Sequence, residues 1–276
     1  MKYISCAEAR SLGGLRLVLS CDGPNPWCEA AKYVFHVKQV PYAATAKRGM
    51  DDGAENEALF EWTGHKNSPI AMYEDEKARV GWLDILYLAE RLGTGPSLIP
   101  DSRELQVQSI GLSHQICGED GLGWNRRLNI FKMLLDGAGG DPEKTGIPAR
   151  LFKDYIINDE TTRRAEDRLI AILTHLDDRL KQQKASGSNY FVGDQLSGTD
   201  LHFAALFGMI DPLPHEVNPM PEGMRVMYSS GEPAVRAAVT SALRTHRDYI
   251  FAKYLELPID FADEDRPVAH ALDSKR

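Results

Sequence analysis

Two short stretches of this sequence carry side chains able to handle a thiol or an anion. The first is Ser20-Cys21-Asp22-Gly23-Pro24-Asn25-Pro26-Trp27-Cys28. Asn25 followed by Pro26 reads as a helix N-cap with proline at the first helical position. Unpaired amide N–H groups and the positive end of the helix dipole gather there, and both stabilise an anion such as a thiolate. Asn25 could donate its amide hydrogens to such a sulfur, or serve only as the cap. Cys28 falls in the first helical turn, where its thiol is either acidified or simply packed. Ser20 and Cys21 stand nearby as an alternative hydroxyl and thiol. The second stretch is Thr63-Gly64-His65-Lys66-Asn67-Ser68-Pro69-Ile70. A cis bond at Pro69 would turn the Ser68 backbone outward to pair with an extended peptide. A trans proline on an edge strand is the plainer alternative.

A third stretch runs from His114 to Arg127, with three glycines between 118 and 123 that allow a kink or a close approach. Trp124 with Arg126 or Arg127 could take an aromatic or carboxylated ligand. The arginines could equally be solvated, or pair across a dimer seam. His114 reads as a satisfied helix histidine before it reads as a base. Ser197 and Asp200 have the spacing of a capping box, with Leu196 and Leu201 at the staple positions. That signal is structural.

The elements that must position these groups follow from the hydrophobic pattern. Leu15–Leu19 is a buried strand, and Trp27, Ala30, Ala31, Val34 and Phe35 recur at helical spacing. Val40–Ala44 resumes a strand, Lys47–Glu57 reads as a loop, and Ile70–Tyr73 is a third strand. Glu74–Lys77 is a turn from which Ala78–Val80 returns as a fourth strand, before a helix from Trp82 to Leu92. The order is that of a small α/β unit over 14–92. Gly93–Pro100 is a linker by composition. Beyond it, 101–257 is all helical, with a glycine-rich loop over Asp136–Pro148 and a buried helix over Thr199–Ile210. Residues 258–276 read as a charged, weakly ordered tail.

The chain has 276 residues, with 40 acidic against 32 basic side chains, a net charge of −8. An acidic balance argues against a nucleic-acid partner, which needs a clustered positive face. No apolar run reaches the roughly 18 residues of a membrane span. The N-terminus lacks a signal-peptide core. Four scattered cysteines offer no paired CxxC for zinc, so no metal is expected. Free thiols suit a reducing cytoplasm.

Taken in order, these motifs resemble the soluble glutathione transferase superfamily, in a divergent bacterial-type subgroup. Asn25-Pro26-Trp27-Cys28 lies where that family has Ser-Pro or Cys-Pro, and His65–Pro69 is similar to its segment with a cis proline. Leu86–Leu92 resembles the end of its third helix, and Gly193–Asp200 its capping box. The resemblance covers about residues 14–255. It implies an N-terminal thioredoxin-like domain, a C-terminal helical domain and a homodimer. It also implies glutathione as co-substrate, with attack on a small hydrophobic electrophile or an aromatic acid. By the same resemblance, Asn25, Ser20, Cys21 and Cys28 are candidates for thiol activation, and Asn25, Lys66, Ser68, Pro69, Gly81 and Trp82 for binding glutathione. Trp27, His114, Trp124, Arg126 and Arg127 are candidates for the co-substrate pocket. The family's acid–hydroxyl pair at the third helix falls on Val80-Gly81 or Gly81-Trp82, which supply neither group. A non-catalytic scaffold, or a specialised thiol-dependent lyase or isomerase, are the alternatives.

Overall fold

A computed structural model describes residues 1–21, 23–49, 54–155 and 157–261. Asp22, the middle of the expected loop at 50–53, and the expected tail from 262 onward lie outside the described residues. The described chain divides into two units. One holds residues 1–99 together with 213–225 and the segment beginning at Phe251. The other holds 100–212 and 226–250.

In the first unit, a continuous apolar run makes β1 (Leu15–Ser20), buried along nearly its whole length. It is the centre of a three-stranded sheet with β2 (Ala43–Lys47) parallel on one side and β3 (Ile70–Tyr73) antiparallel on the other. The expected fourth strand is reduced to a single bridge between Ala71 and Arg79. Ahead of β1 stands α1 (Cys6–Ser11), and between β1 and β2 runs α2 (Pro26–Val37), ten of whose twelve residues are buried. The segment read as a loop, Lys47–Glu57, ends inside α3 (Ala54–Thr63), which buries only Leu59 and Thr63 and so shows little apolar patterning. The unit's last helix in this stretch is α4 (Trp82–Leu92).

The linker is tied down. The Lys38 ammonium donates to Glu90 at 3.2 Å and to the carbonyls of Gly95 and Pro96 at 3.0 and 3.1 Å. A Cβ on Gly95 would stand 2.1 Å from the Val37 carbonyl oxygen, so backbone meets backbone there. Gly95→Ala is therefore expected to cost about 2 kcal/mol, seen as a lower urea midpoint; an unchanged midpoint would refute this close approach.

Segments from the C-terminal half complete this unit. Ile259 N–H donates to the Val217 carbonyl at 2.8 Å, Tyr3 hydroxyl to Phe261 at 3.0 Å, and Lys32 ammonium to Asp260 at 2.7 Å. Lys32 also binds the buried Glu29 carboxylate at 2.8 Å. Burial pushes that carboxyl's pKa up, and Lys32 works against the shift. The unit thus reaches beyond the expected 14–92 at both ends.

The second unit is helical. It contains α5 (Arg103–Cys117), α6 (Leu122–Gly137), α7 (Ala149–Asp154), α8 (Asp159–Ala185) and α9 (Gly198–Leu206). After these come α10 (Glu222–Ser229), α11 (Pro233–Ala237) and α12 (Ser241–Tyr254); α10 and α12 each pass from one unit to the other. The glycines after α5 separate it from α6, where a kink was expected. All nine residues of α9 are buried, and its N-terminus carries the Ser197–Asp200 capping box. Thr199 and Ser109 hydroxyls meet at 2.9 Å, tying α9 to α5. Among the described residues no helix is long and apolar enough to cross a membrane.

His202 on α9 is fully buried, and burial lowers its pKa from 6.5 to about 4. Between these values the unfolded chain binds a proton that the folded chain refuses. This contribution to stability is therefore complete above about pH 6.5 and is lost as pH falls toward 4, by roughly 3 kcal/mol in all. Urea unfolding at pH 7.5 and 4.5 should show His202→Gln losing less stability on acidification than the parent. Equal acid slopes in the two proteins would contradict this account.

Candidate active site

The first constellation lies where β1 ends and α2 begins. Asn25 is in extended conformation, and its Oδ1 accepts from the N–H groups of Trp27 at 3.2 Å and Cys28 at 3.3 Å, capping α2. Its amide nitrogen points the other way and donates to Ser20 Oγ at 3.2 Å. Ser20 Oγ lies 2.9 Å from Ser68 Oγ, across from the start of β3. The Ser68–Pro69 bond is cis. Asn25, Ser20 and Ser68 are all half-buried, so the cluster meets solvent on one side.

The hydroxyl pair has two protons, and the Ser–Ser hydrogen bond consumes one. The other is available to a third atom. Beneath the pair sits the Cys28 sulfur, 1% exposed, which accepts from the Ser20 N–H at 3.5 Å. Burial pushes the Cys28 thiol up, while the Ser20 and Ser68 groups facing it pull the other way. Of the two readings of Cys28, its burial favours the packed thiol over the acidified one. Cys21 is also buried, with Arg48 Nη1 3.3 Å from its sulfur. That neighbour went unread in the sequence. The parallel pairing of Ser20 with Lys47 sets residue 48 beside residue 21, a register visible only in the folded sheet.

The remaining candidates are spread more widely. Lys66 is exposed, its ammonium 5.3 Å above the Phe60 ring. Pro69 is buried at the head of β3. Gly81 is the N-cap of α4 and makes no side-chain cap, with Trp82 as the first helical residue. Asp84 folds back over that end: its carboxylate oxygen lies 3.5 Å from where a Gly81 Cβ would stand. Trp27 is half-buried on the first turn of α2.

In the helical unit, Arg126 is turned toward main-chain carbonyls. It is 3% exposed and donates to the main-chain carbonyls of Met209 at 2.9 Å, Met227 at 2.6 Å and Ser230 at 2.6 Å. Burial lowers its pKa to about 10. It is a structural clasp, because a guanidinium's fork of donors can satisfy several carbonyls at once. Arg127 donates to the Tyr155 hydroxyl at 2.7 Å, and the Tyr155 ring packs 4.4 Å from Trp124. His114 is exposed, its ring lying against Gly118.

No family model and no curated protein matches the sequence. Solved structures do match by shape. A glutathione S-transferase from Xanthobacter autotrophicus Py2 aligns at TM-score 0.55 and 12% identity, over 90% of this chain and 98% of that one. The chain has the glutathione S-transferase fold. A maleylacetoacetate isomerase from Methylobacterium extorquens AM1, with bound malonate and GSH, aligns at TM-score 0.51 and 15% identity, over 84% and 95% of the two chains. A glutathione S-transferase from Methylobacterium radiotolerans JCM 2831, in complex with glutathione sulfonate, gives 0.51 and 14%, over 82% and 94%. The glutathione S-transferase fold joins a thioredoxin-like α/β unit to a helical one, the architecture found here.

Proposed function

We propose that this protein binds glutathione through its α/β unit and activates the thiol for attack on a hydrophobic electrophile. The hydrogen-bonded set Ser20–Ser68–Asn25 carries the reading. Asn25 donates to Ser20, Ser68 shares a proton with it, and the second hydroxyl proton, which faces the Cys28 sulfur, would turn to an incoming thiolate. A neutral thiol such as Cys28 is a weak acceptor. A thiolate is a charged one and takes that proton in preference. Lowering a thiol pKa by one unit needs about 1.4 kcal/mol, and one hydrogen bond to a charged group supplies about 1.5–3 kcal/mol.

The residues present fit the thiol end of glutathione. At α4, the first-turn N–H groups and the Asp84 carboxylate would take the place of an acid–hydroxyl pair in holding the γ-glutamyl end. In the reaction the thiolate sulfur bonds to the electrophilic carbon, the leaving group departs with its electron pair, and the thiol proton passes to solvent. As part of the same proposal the protein works in the cytoplasm as a homodimer. A sedimentation mass equal to the 30.8 kDa chain would refute the dimer.

The uncapped Gly81 favours one rival, a binding protein that keeps the fold without the reaction. Calorimetric titration with glutathione, beside a conjugation assay on a general aromatic electrophile, separates the two. Saturable binding with turnover is expected. Absence of binding at millimolar glutathione would sink the proposal, and binding without turnover on a panel of electrophiles would favour the rival.

A further inference from the structure

A groove of about 580 Å³ lies within the helical unit, between α5 and α8. Its floor is apolar, formed by Leu112 and Ile172, and it is deepened by the small residues Gly111 and Ala171. Each end is closed by an arginine of α8 reaching to a glutamine of α5. Arg168 donates to Gln115 at 2.6 Å, and Arg179 to Gln108 at 3.0 Å. His175 lines the middle.

The charge of the groove runs against that of the chain. None of its lining residues is acidic, in a protein of net charge −8. Among the described residues Arg179 has no carboxylate partner: its bonds go to the Gln108 side chain and the Phe191 carbonyl. At the other end Arg164 and Arg168 share the single Asp120 carboxylate, at 3.3 and 3.1 Å, leaving one positive charge over. Arg179 is therefore an uncompensated cation at one end, and at the other Arg168 shares a single carboxylate with Arg164, with an apolar floor between.

Spacing sets the length of what would fit. Residues 168 and 179 are separated by about 16 Å along the α8 axis, and 108 and 115 by about 10 Å along α5, at a rise of ~1.5 Å per residue. The guanidinium heads lie between these limits, because each leans toward its glutamine. We propose that this groove binds an elongated apolar molecule carrying an acid group at each end. The arginines can swing from a neutral amide oxygen to a carboxylate, which is the stronger acceptor. The apolar floor takes the chain between the two acid groups. This site is separate from the thiol-handling cluster, and its test reads binding alone.

The probe is dodecanedioate, whose extended length falls in that interval, titrated calorimetrically against the intact protein beside dodecanoate and 1,12-dodecanediol. Dodecanedioate should bind about tenfold more tightly than dodecanoate, the worth of one added charge-assisted contact, and the diol should bind more weakly still. Arg179→Gln should bring the diacid down to the affinity of the monoacid. Gly111→Leu should abolish binding; a side chain there meets nothing within 4 Å, so the fold has room for it. Equal binding by the diol, no binding at all, or full affinity in both variants would overturn the proposal. A change in sedimenting mass on Gly111→Leu would also overturn it, by giving the groove to a second copy of the chain.

Discussion

Ser20→Ala is expected to lower kcat for thiol conjugation near neutral pH by roughly ten- to a hundredfold, the worth of one hydrogen bond to a charged sulfur. Affinity for glutathione should change by no more than about threefold, because the lost bond goes to the ionised sulfur and not to the peptide. The side chain to be removed accepts from Asn25 at 3.2 Å and lies 2.9 Å from Ser68. Its loss both deletes a donor and releases the two groups that orient it. The pH profile should move with it. The pKa seen in kcat/KM rises in the variant, so activity survives better at alkaline pH. Asn25→Ala should act in the same direction and also weaken the α2 cap, costing about 1 kcal/mol of stability. Equal losses in kcat and in affinity would mean that the cluster is structural.

Asp200→Ala should destabilise the protein by about 3–5 kcal/mol, a large share of the 5–15 kcal/mol typical of a folded domain. The carboxylate is fully buried. One oxygen accepts from the Ser197 N–H and hydroxyl, both at 2.9 Å. The other accepts from the Phe191 N–H at 2.9 Å, with His246 Nε2 3.1 Å away though not aligned as a donor. Alanine would leave two N–H groups and a hydroxyl without an acceptor, each costing about 1–3 kcal/mol. Asp200→Asn keeps the shape and one acceptor, so its loss should be about half as large. Urea unfolding of both variants tests this. A loss under about 1 kcal/mol for alanine would show that water or a neighbour takes over the donors.

Much of this arrangement is local, and local features were legible. The run Leu15–Leu19, the Asn25-Pro26 start of α2 and the Ser197–Asp200 box each declare an element within a few residues. The α3 helix did not, because Ala54–Thr63 has so little buried surface that no periodic stripe forms. Non-local facts were the least legible. Ser20 and Ser68 are 48 residues apart in sequence, and only strand pairing makes their hydroxyls neighbours. Arg126 looked like a ligand-reading cation, because a sequence does not display the main-chain carbonyls that surround it. Cys28 stayed open between an acidified and a packed thiol for a similar reason: the sequence does not display that a helix with ten buried residues has almost no outward face on which to present it.

The division of the chain also carries a consequence for how this protein can be altered. The polypeptide passes between its two units four times, after residues 99, 212, 225 and 250. Met224 covers the Gly23 backbone beside the candidate site, and the segment at 259–261 is held by Tyr3, Lys32 and Val217. The thioredoxin-like portion is therefore not a detachable cassette. A fragment cut at the linker would lack part of its own wall, and a graft that exchanged only the first hundred residues would inherit a stranger's clasp on the loop before Asn25. Recombination with a relative would succeed only if the crossover points carried all three pieces together.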